Sequence, residues 1–264
     1  MKKLIFVKIG GGLLTDKSKP YTLNDQFIEK IPSLFPSSIL KEFDLIVGNG
    51  AGSFGHYEAS QHNFSDHISN ESQLLGVAKT HLAAQDLNRV VVQKLLDCQI
   101  PVFSLSPSGL FISKDNRARN LNLKPIRALL SNGFVPVVHG EVISDITRGA
   151  TIFSTERIAE TLLPKLRANY DEIITIILTD TDGVMCGDQL LETMPSDGSI
   201  DLSHHTGYDV TGGMCEKVAS SRRLSRLGIT TYICNGNNPD AIAKIISGKS
   251  VGTVFRAAAS KTIR

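Results

Sequence analysis

GNGAGSFGH, residues 48–56, follows directly on the short run DLIV at 44–47. An apolar run of that length bounded by glycine has the character of a buried strand. A glycine-rich turn after a strand lets backbone N–H groups close in on an anion. Gly50, Gly52 and Gly55 spell G-x-G-x-x-G, the spacing of a dinucleotide-binding turn. That use also needs an acid after the next strand, to hold a ribose. The next strand-like run, PVFSL at 101–105, leads into Ser106 and supplies none. His56 comes directly after the third glycine. An imidazole N–H aimed into the loop suits a bound phosphate, although a lone histidine is more often a cap or core residue.

The pattern around this turn repeats along the chain. Strand-like runs fall at 4–7, 45–47, 102–105, 134–138, 172–179, 229–234 and 253–255. Helical patterns fall at 24–35, 72–97, 123–131, 155–166, 217–227 and 239–247, and VISDITRGATIF (142–153) reads as a hairpin turning at 147–149. Strands alternating with helices predict an α/β fold whose mainly parallel sheet is covered on both faces. No low-complexity linker or internal repeat divides the chain, so residues 1–264 are read as one domain.

Composition narrows the function classes. At 41% hydrophobic and 20% charged the chain can bury a sizeable core, and its net charge of +2 comes without a basic tract, which disfavours nucleic acid as a partner. Cys98, Cys186, Cys215 and Cys234 form no C-x-x-C pair and no zinc spacing, and read as reduced thiols. Lys8 interrupts the apolar N-terminal run, and no stretch has membrane-spanning length. A cytoplasmic protein is expected, with no membrane partner.

Three further turns carry candidate chemistry. KIGGGLLTDK (8–17) offers Gly10 and Gly11 for close backbone approach, with Lys8 and Lys17 to neutralise phosphate. It is not a Walker A loop, because Asp16 stands where glycine must precede the lysine. In ILTDTDGVM (177–185), Asp180 and Asp182 follow the most β-rich run, where α/β sheets bind ligands. Those acids suit magnesium or the polar parts of a nucleotide, and T-D-G is equally good turn chemistry. DVTGGMCEK (209–217) sets Gly212 before a helix and Lys217 one turn inside it, again fitting phosphate. Each turn alone is as well explained by capping and surface lysines. Their common position after strands of one sheet is what favours a phosphate site.

KIGGG, GAGSFGH, VPVVHGE (135–141), TDTDGV and DVTGGMCEK occur in the order and approximate spacing of the amino acid kinase superfamily. Within it the chain most resembles the isopentenyl phosphate kinases, which pair a lysine after the first turn with a histidine closing the second, as Lys17 and His56 do here. The resemblance implies an open αβα sandwich. It also implies transfer of the γ-phosphoryl group of ATP, carried with Mg2+, to the phosphate of isopentenyl phosphate. Residues up to about 165 would bind the acceptor and the remainder the nucleotide; the fold usually forms homodimers. By the same resemblance, Lys8, Gly10 and Gly11 contact the ATP phosphates and Lys17 stabilises the transition state. Gly50, Ala51, Gly55, His56 and Thr155 hold the acceptor, Ala51 also bordering the nucleotide. Asp180, Gly212 and Lys217 belong to the nucleotide side.

The chain departs from its relatives at Gly12, where serine is frequent, and at Asn49 and Ala51, where histidine and glycine are. Thr155, Glu156 and Arg157 replace Gly, Asp and Asp. A fosfomycin-type kinase, which also uses a histidine after the second glycine turn, is the alternative enzyme; a nucleotide-binding sensor or storage protein on the same fold is the non-enzymatic one. Leu74, Val77, Ala78, His81 and Leu82 are candidate walls of an apolar acceptor pocket, and small residues at Val77, Ala78, Ala83 and Ala84 predict room for a tail longer than five carbons.

Overall fold

A computed structural model of the chain describes residues 2–36, 38–64, 67–186, 188–194 and 213–258. From the N-terminus, β1 (Lys3–Ile9) leads through the one-turn helices α1 (Gly11–Leu14), α2 (Asp25–Ile28), α3 (Ile31–Leu34) and α4 (Ile39–Glu42) to β2 (Asp44–Asn49). Then come α5 (Gly52–Gln61), the long α6 (Glu71–Asp97), β3 (Val102–Ser104), β4 (Ile112–Lys114), β5 (Arg117–Arg119) and α7 (Lys124–Ser131). β6 (Val135–His139), β7 (Glu141–Asp145), β8 (Gly149–Phe153), α8 (Thr155–Leu166) and β9 (Glu172–Thr179) follow. The chain continues through β10 (Met185–Cys186), β11 (Gln189–Leu190), α9 (Gly213–Arg226), β12 (Thr230–Asn235), α10 (Ala241–Ile246) and β13 (Thr253–Phe255).

The main sheet has the order β13-β12-β9-β1-β2-β6-β3 and is parallel except for the β12–β13 pair. Side chains of a strand alternate between faces, and β1 shows what each face meets. Ile5, Val7 and Ile9 pack with Leu87, Val91 and Leu95 of α6, whereas Leu4 and Phe6 pack with Ile158, Leu162 and Leu163 of α8. Helices therefore cover both faces, and the central strands read as continuous apolar runs for that reason. The result is the open αβα sandwich with a mainly parallel sheet.

Register fixes the site. Ile9 lies opposite Asn49 of β2 and Leu178 of β9, and Asn49 lies opposite His139 of β6. Four strands thus end level, and the turns after them meet at one edge. A smaller sheet, β5-β4-β7-β8, rises beside that edge. Asp145 pins it: one carboxylate oxygen accepts the N–H groups of Thr147 and Arg148, and the other accepts that of Asn116 across the β4–β5 turn.

Two sequence expectations change. The helix expected over 24–35 is split into α2 and α3, because Pro32 has no N–H for the Ile28 carbonyl and its ring collides there. The β4–β5 hairpin was not anticipated. Its signal was Asp115-Asn116, both at positive φ (49° and 61°), as a type I′ turn requires.

Candidate active site

One cleft opens along the level strand ends. The first turn contributes Lys8, Gly10, Gly11 and Lys17 to it, and the second contributes Gly50, Ala51, Gly55 and His56. Thr155 of α8, Asp180 after β9 and Lys217 of α9 complete the set that the sequence singled out. Gly212 lies outside the described residues.

The two glycine turns interlock backbone to backbone. A Cβ on Gly11 would lie 2.6 Å from the Gly52 nitrogen, and one on Gly50 would lie 2.8 Å from the Gly11 nitrogen. Only glycine permits either approach. Thr15 closes the joint: its hydroxyl donates to the Gly11 carbonyl and accepts the Ser53 N–H, each at 2.9 Å. α5 starts inside this joint, so its first turn and the positive end of its dipole border the cleft. His56, one turn in, is half-buried on the same side.

At the floor, the Lys8 ammonium of β1 makes an ion pair with Glu156 in the first turn of α8, both side chains being almost fully buried. Burial pushes the Glu156 carboxyl upward, but the charges of Lys8 and Lys217 outweigh it and hold it below the ordinary glutamate range. Lys217 also donates to the Gly213 carbonyl at 3.1 Å. Glu156 therefore feels the charge of two cations that lie far apart in the chain. Lys17 lies across Gly12: a Cβ there would come within 2.9 Å of the Lys17 Cε. The glycine that departs from the frequent serine is what gives this lysine its path.

The other departures also resolve locally. Asn49 is fully buried and accepts from Asn88 of α6 at 2.8 Å, while Ser104 of β3 donates to Asn88. Thr155 donates to the Asn49 carbonyl at 2.7 Å, tying α8 to the second turn. Arg157 points elsewhere: its guanidinium donates to the carbonyls of Ile152 and Asn116 and stacks on Phe153. Asp180 and Asp182 separate, the first lining the cleft and the second accepting from Asn235.

The α6 wall needs correction. Ala84 lines the cleft and Ala83 faces the core. Ala78 is on the exposed face, Leu74 and Leu82 are more than half exposed, and Val77 packs on Phe64, Val142 and Ala150. The cause is helix phase: positions 80 and 84, four apart, face the cleft, and 78 and 82 lie on another side of the helix. Thr80, Ile152, Phe153, Glu141 and Glu156 were missed as cleft residues. An acid in the first turn of a helix, between two apolar runs, was the available signal for Glu156.

Residues 3–235 match the model of the amino acid kinase family. The chain belongs to the amino acid kinase family. This amino acid kinase is 30% identical over 256 residues to the isopentenyl phosphate kinase of Haloferax volcanii, covering 96% of this chain and 98% of that one. It is 28% identical over 265 residues to that of Methanocaldococcus jannaschii, covering 95% and 97% respectively. A solved isopentenyl phosphate kinase structure matches with a TM-score of 0.78 at 26% identity, over 95% of this chain and 99% of that one. Relatives matched over nearly their whole length place this amino acid kinase in the isopentenyl phosphate kinase branch. Among the described residues, no helix is long and apolar enough to cross a membrane.

Proposed function

We propose that the chain is an ATP-dependent kinase that transfers the γ-phosphoryl group to the phosphate of isopentenyl phosphate, giving isopentenyl diphosphate and ADP. The observation that carries this reading is the meeting of His56 and the α5 N-terminus with Lys8, Lys17 and Lys217 around one cleft. Phosphoryl transfer asks little covalent chemistry of a protein, and catalysis rests on positioning and charge. The acceptor phosphate, with a second pKa near ~6, is already largely dianionic at neutral pH. No general base is needed beside it.

His56 and the second turn at Gly50, Ala51 and Gly55, whose bare backbone lets a ligand come close, hold the acceptor phosphate. Lys8, Gly10, Gly11 and Lys217 hold the donor phosphates, with Glu156 keeping the two ammonium groups apart and aimed. Lys17 reaches over Gly12 to the transferring group, where negative charge spreads over the equatorial oxygens. Asp180 and Gly212 belong to the nucleotide side. Among the described residues, no group of three or more acids, histidines or cysteines is arranged as a metal cage. Magnesium is proposed to enter with the nucleotide substrate.

In this reading the acceptor residues fall before about residue 165 and Asp180, Gly212 and Lys217 of the nucleotide side after it, while Lys8, Gly10 and Gly11 reach the donor phosphates from the first part. A homodimer is proposed on the exposed Leu74, Leu75 and Leu82 of α6 and the exposed Phe103–Phe134 pair beside the sheet edge. A reducing, cytoplasmic setting fits the four free thiols. The test is ATP consumption with isopentenyl, dimethylallyl and geranyl phosphates and with fosfomycin. Turnover of isopentenyl phosphate supports the reading. Turnover of fosfomycin alone, or ATP binding without any turnover, overturns it.

A further inference from the structure

A polar cluster that phosphoryl transfer does not use stands at the side of the cleft formed by α6 and β7. Glu141, the first residue of β7, lines the cleft with a side chain wholly shielded from solvent. Its Oε2 lies 2.8 Å from Nδ1 of His81 on α6. Its Oε1 accepts the Ser108 N–H at 2.7 Å, and the Ser106 hydroxyl lies 3.1 Å from both oxygens. Gln85, one turn beyond His81, meets His81 Nε2 at 3.1 Å. His139, at the end of β6, faces the same carboxylate with Nε2 at 3.7 Å. These are the titratable groups turned toward the cluster from α6, β6 and β7. The segment after β3 presents only serines.

We propose that the His81–Glu141 pair is a positioning latch that sets the width of the acceptor chamber. α6 supplies Thr80 and Ala84 to one wall, and β8 supplies Ile152 and Phe153 to the other. β7 and β8 are paired along their whole length, so a bond from His81 to Glu141 fastens the two walls together. Ser106 and Ser108 hold Glu141 from the other side, so its contact with His81 is what ties it to α6, and stripping a buried carboxylate of one partner is costly; the pair therefore holds α6 to one distance. The acceptor's identity in this inference rests on the kinase reading above.

The latch is charge-dependent. The hydrogen bond to Glu141 raises the His81 imidazole above its ordinary value, against the effect of burial. Burial keeps His139 below its ordinary value, so it faces the carboxylate uncharged. A raised folded pKa means the pair is complete below the unfolded histidine value of ~6.5 and is lost as pH climbs through the folded one.

Steady-state kinetics from about pH 6 to about pH 9, with His81→Gln, Glu141→Gln and the double variant, test this. KM for isopentenyl phosphate should rise about tenfold in each single variant while KM for ATP stays within about twofold, and the double variant should be no worse. The native acceptor KM should climb with pH beyond the titration of the phosphate itself, and the variants should lose that extra climb. ATP and acceptor KM moving together, or variants keeping the native pH profile, would overturn the latch. An NMR titration of the His81 ring separates the two readings. A native chain inert on isopentenyl phosphate sinks the kinase assignment, whereas a His81 that titrates alike in native and Glu141→Gln protein sinks the latch whatever the substrate.

Discussion

Lys8 and Glu156 are 148 positions apart in sequence and form one buried ion pair at the cleft floor. β1 delivers the cation at its carboxyl end, and α8 delivers the anion in its first turn, where the helix dipole also favours it. Neither charge has water to fall back on.

Glu156→Gln therefore removes the anion whose charge both Lys8 and Lys217 face. Removing one member of a buried pair costs about 3–5 kcal/mol. Thermal denaturation should show a clear loss in the free protein and a smaller one with ATP, whose phosphates restore the missing negative charge. The sign with pH also follows. Because the folded Glu156 carboxyl lies below its ordinary value, its contribution is complete above ~4.3 and fades as pH falls through the folded value. The native acid-denaturation limb should be steeper than that of the variant. Superimposable limbs would mean that Glu156 titrates as if exposed.

His56→Ala removes the group proposed to donate to the acceptor phosphate. One positioned donor of this kind is worth about 2.7–4 kcal/mol in rate. Acceptor kcat/KM should fall by the corresponding factor, with the ATP dissociation constant unchanged by calorimetry. Near-native turnover would return His56 to a packing role.

Gly12→Ala tests the path of Lys17. The added methyl would meet the Lys17 Cε at 2.9 Å, so the ammonium has to swing aside. The expected result is a fall in kcat with ATP affinity retained, smaller than that of Lys17→Ala, since a flexible side chain recovers part of its position. Native kcat in Gly12→Ala, with Lys17→Ala impaired, would show that the observed path is not the catalytic one.

Acceptor length should respond at Ala84 and not at Ala78. Each further buried CH₂ of a ligand gains about 0.8 kcal/mol while space lasts. Ala84→Phe fills the chamber wall and should lower kcat/KM for geranyl phosphate more than for isopentenyl phosphate. Ala78→Phe, on the exposed face, should leave the ratio alone. Ala83→Phe overpacks the core and should lower Tm. A geranyl-to-isopentenyl ratio untouched by Ala84→Phe would place the tail elsewhere.

The strands, the helices and the site were legible to different depths. The runs at 172–179 and 253–255 coincide with β9 and β13, and the pattern at 155–166 with α8, because apolar period and caps agree there. The glycine turns and lysines were visible as separate signals, and the level strand ends explain why they converge. Glu156 was hidden because it was read as a substitution in a motif, and only the fold shows its carboxylate reaching Lys8. The phase of α6 was hidden for a different reason. Leucines at 74, 75 and 82 look like core by composition, yet the helix turns them outward, and no local pattern distinguishes an outward apolar stripe from an inward one.

The interlocked turns at Gly11 and Gly50 act as a fixed ruler. The turn proposed to border the donor phosphates and the turn proposed to border the acceptor phosphate are in van der Waals contact, so neither can shift without carrying the other. On the proposed assignment, the distance the phosphoryl group has to cross is written in main-chain atoms, beyond the reach of side-chain drift. Substrate preference can wander along the walls of the chamber while the gauge between the two phosphates stays constant, and a single methyl group on either glycine would spoil both ends at once.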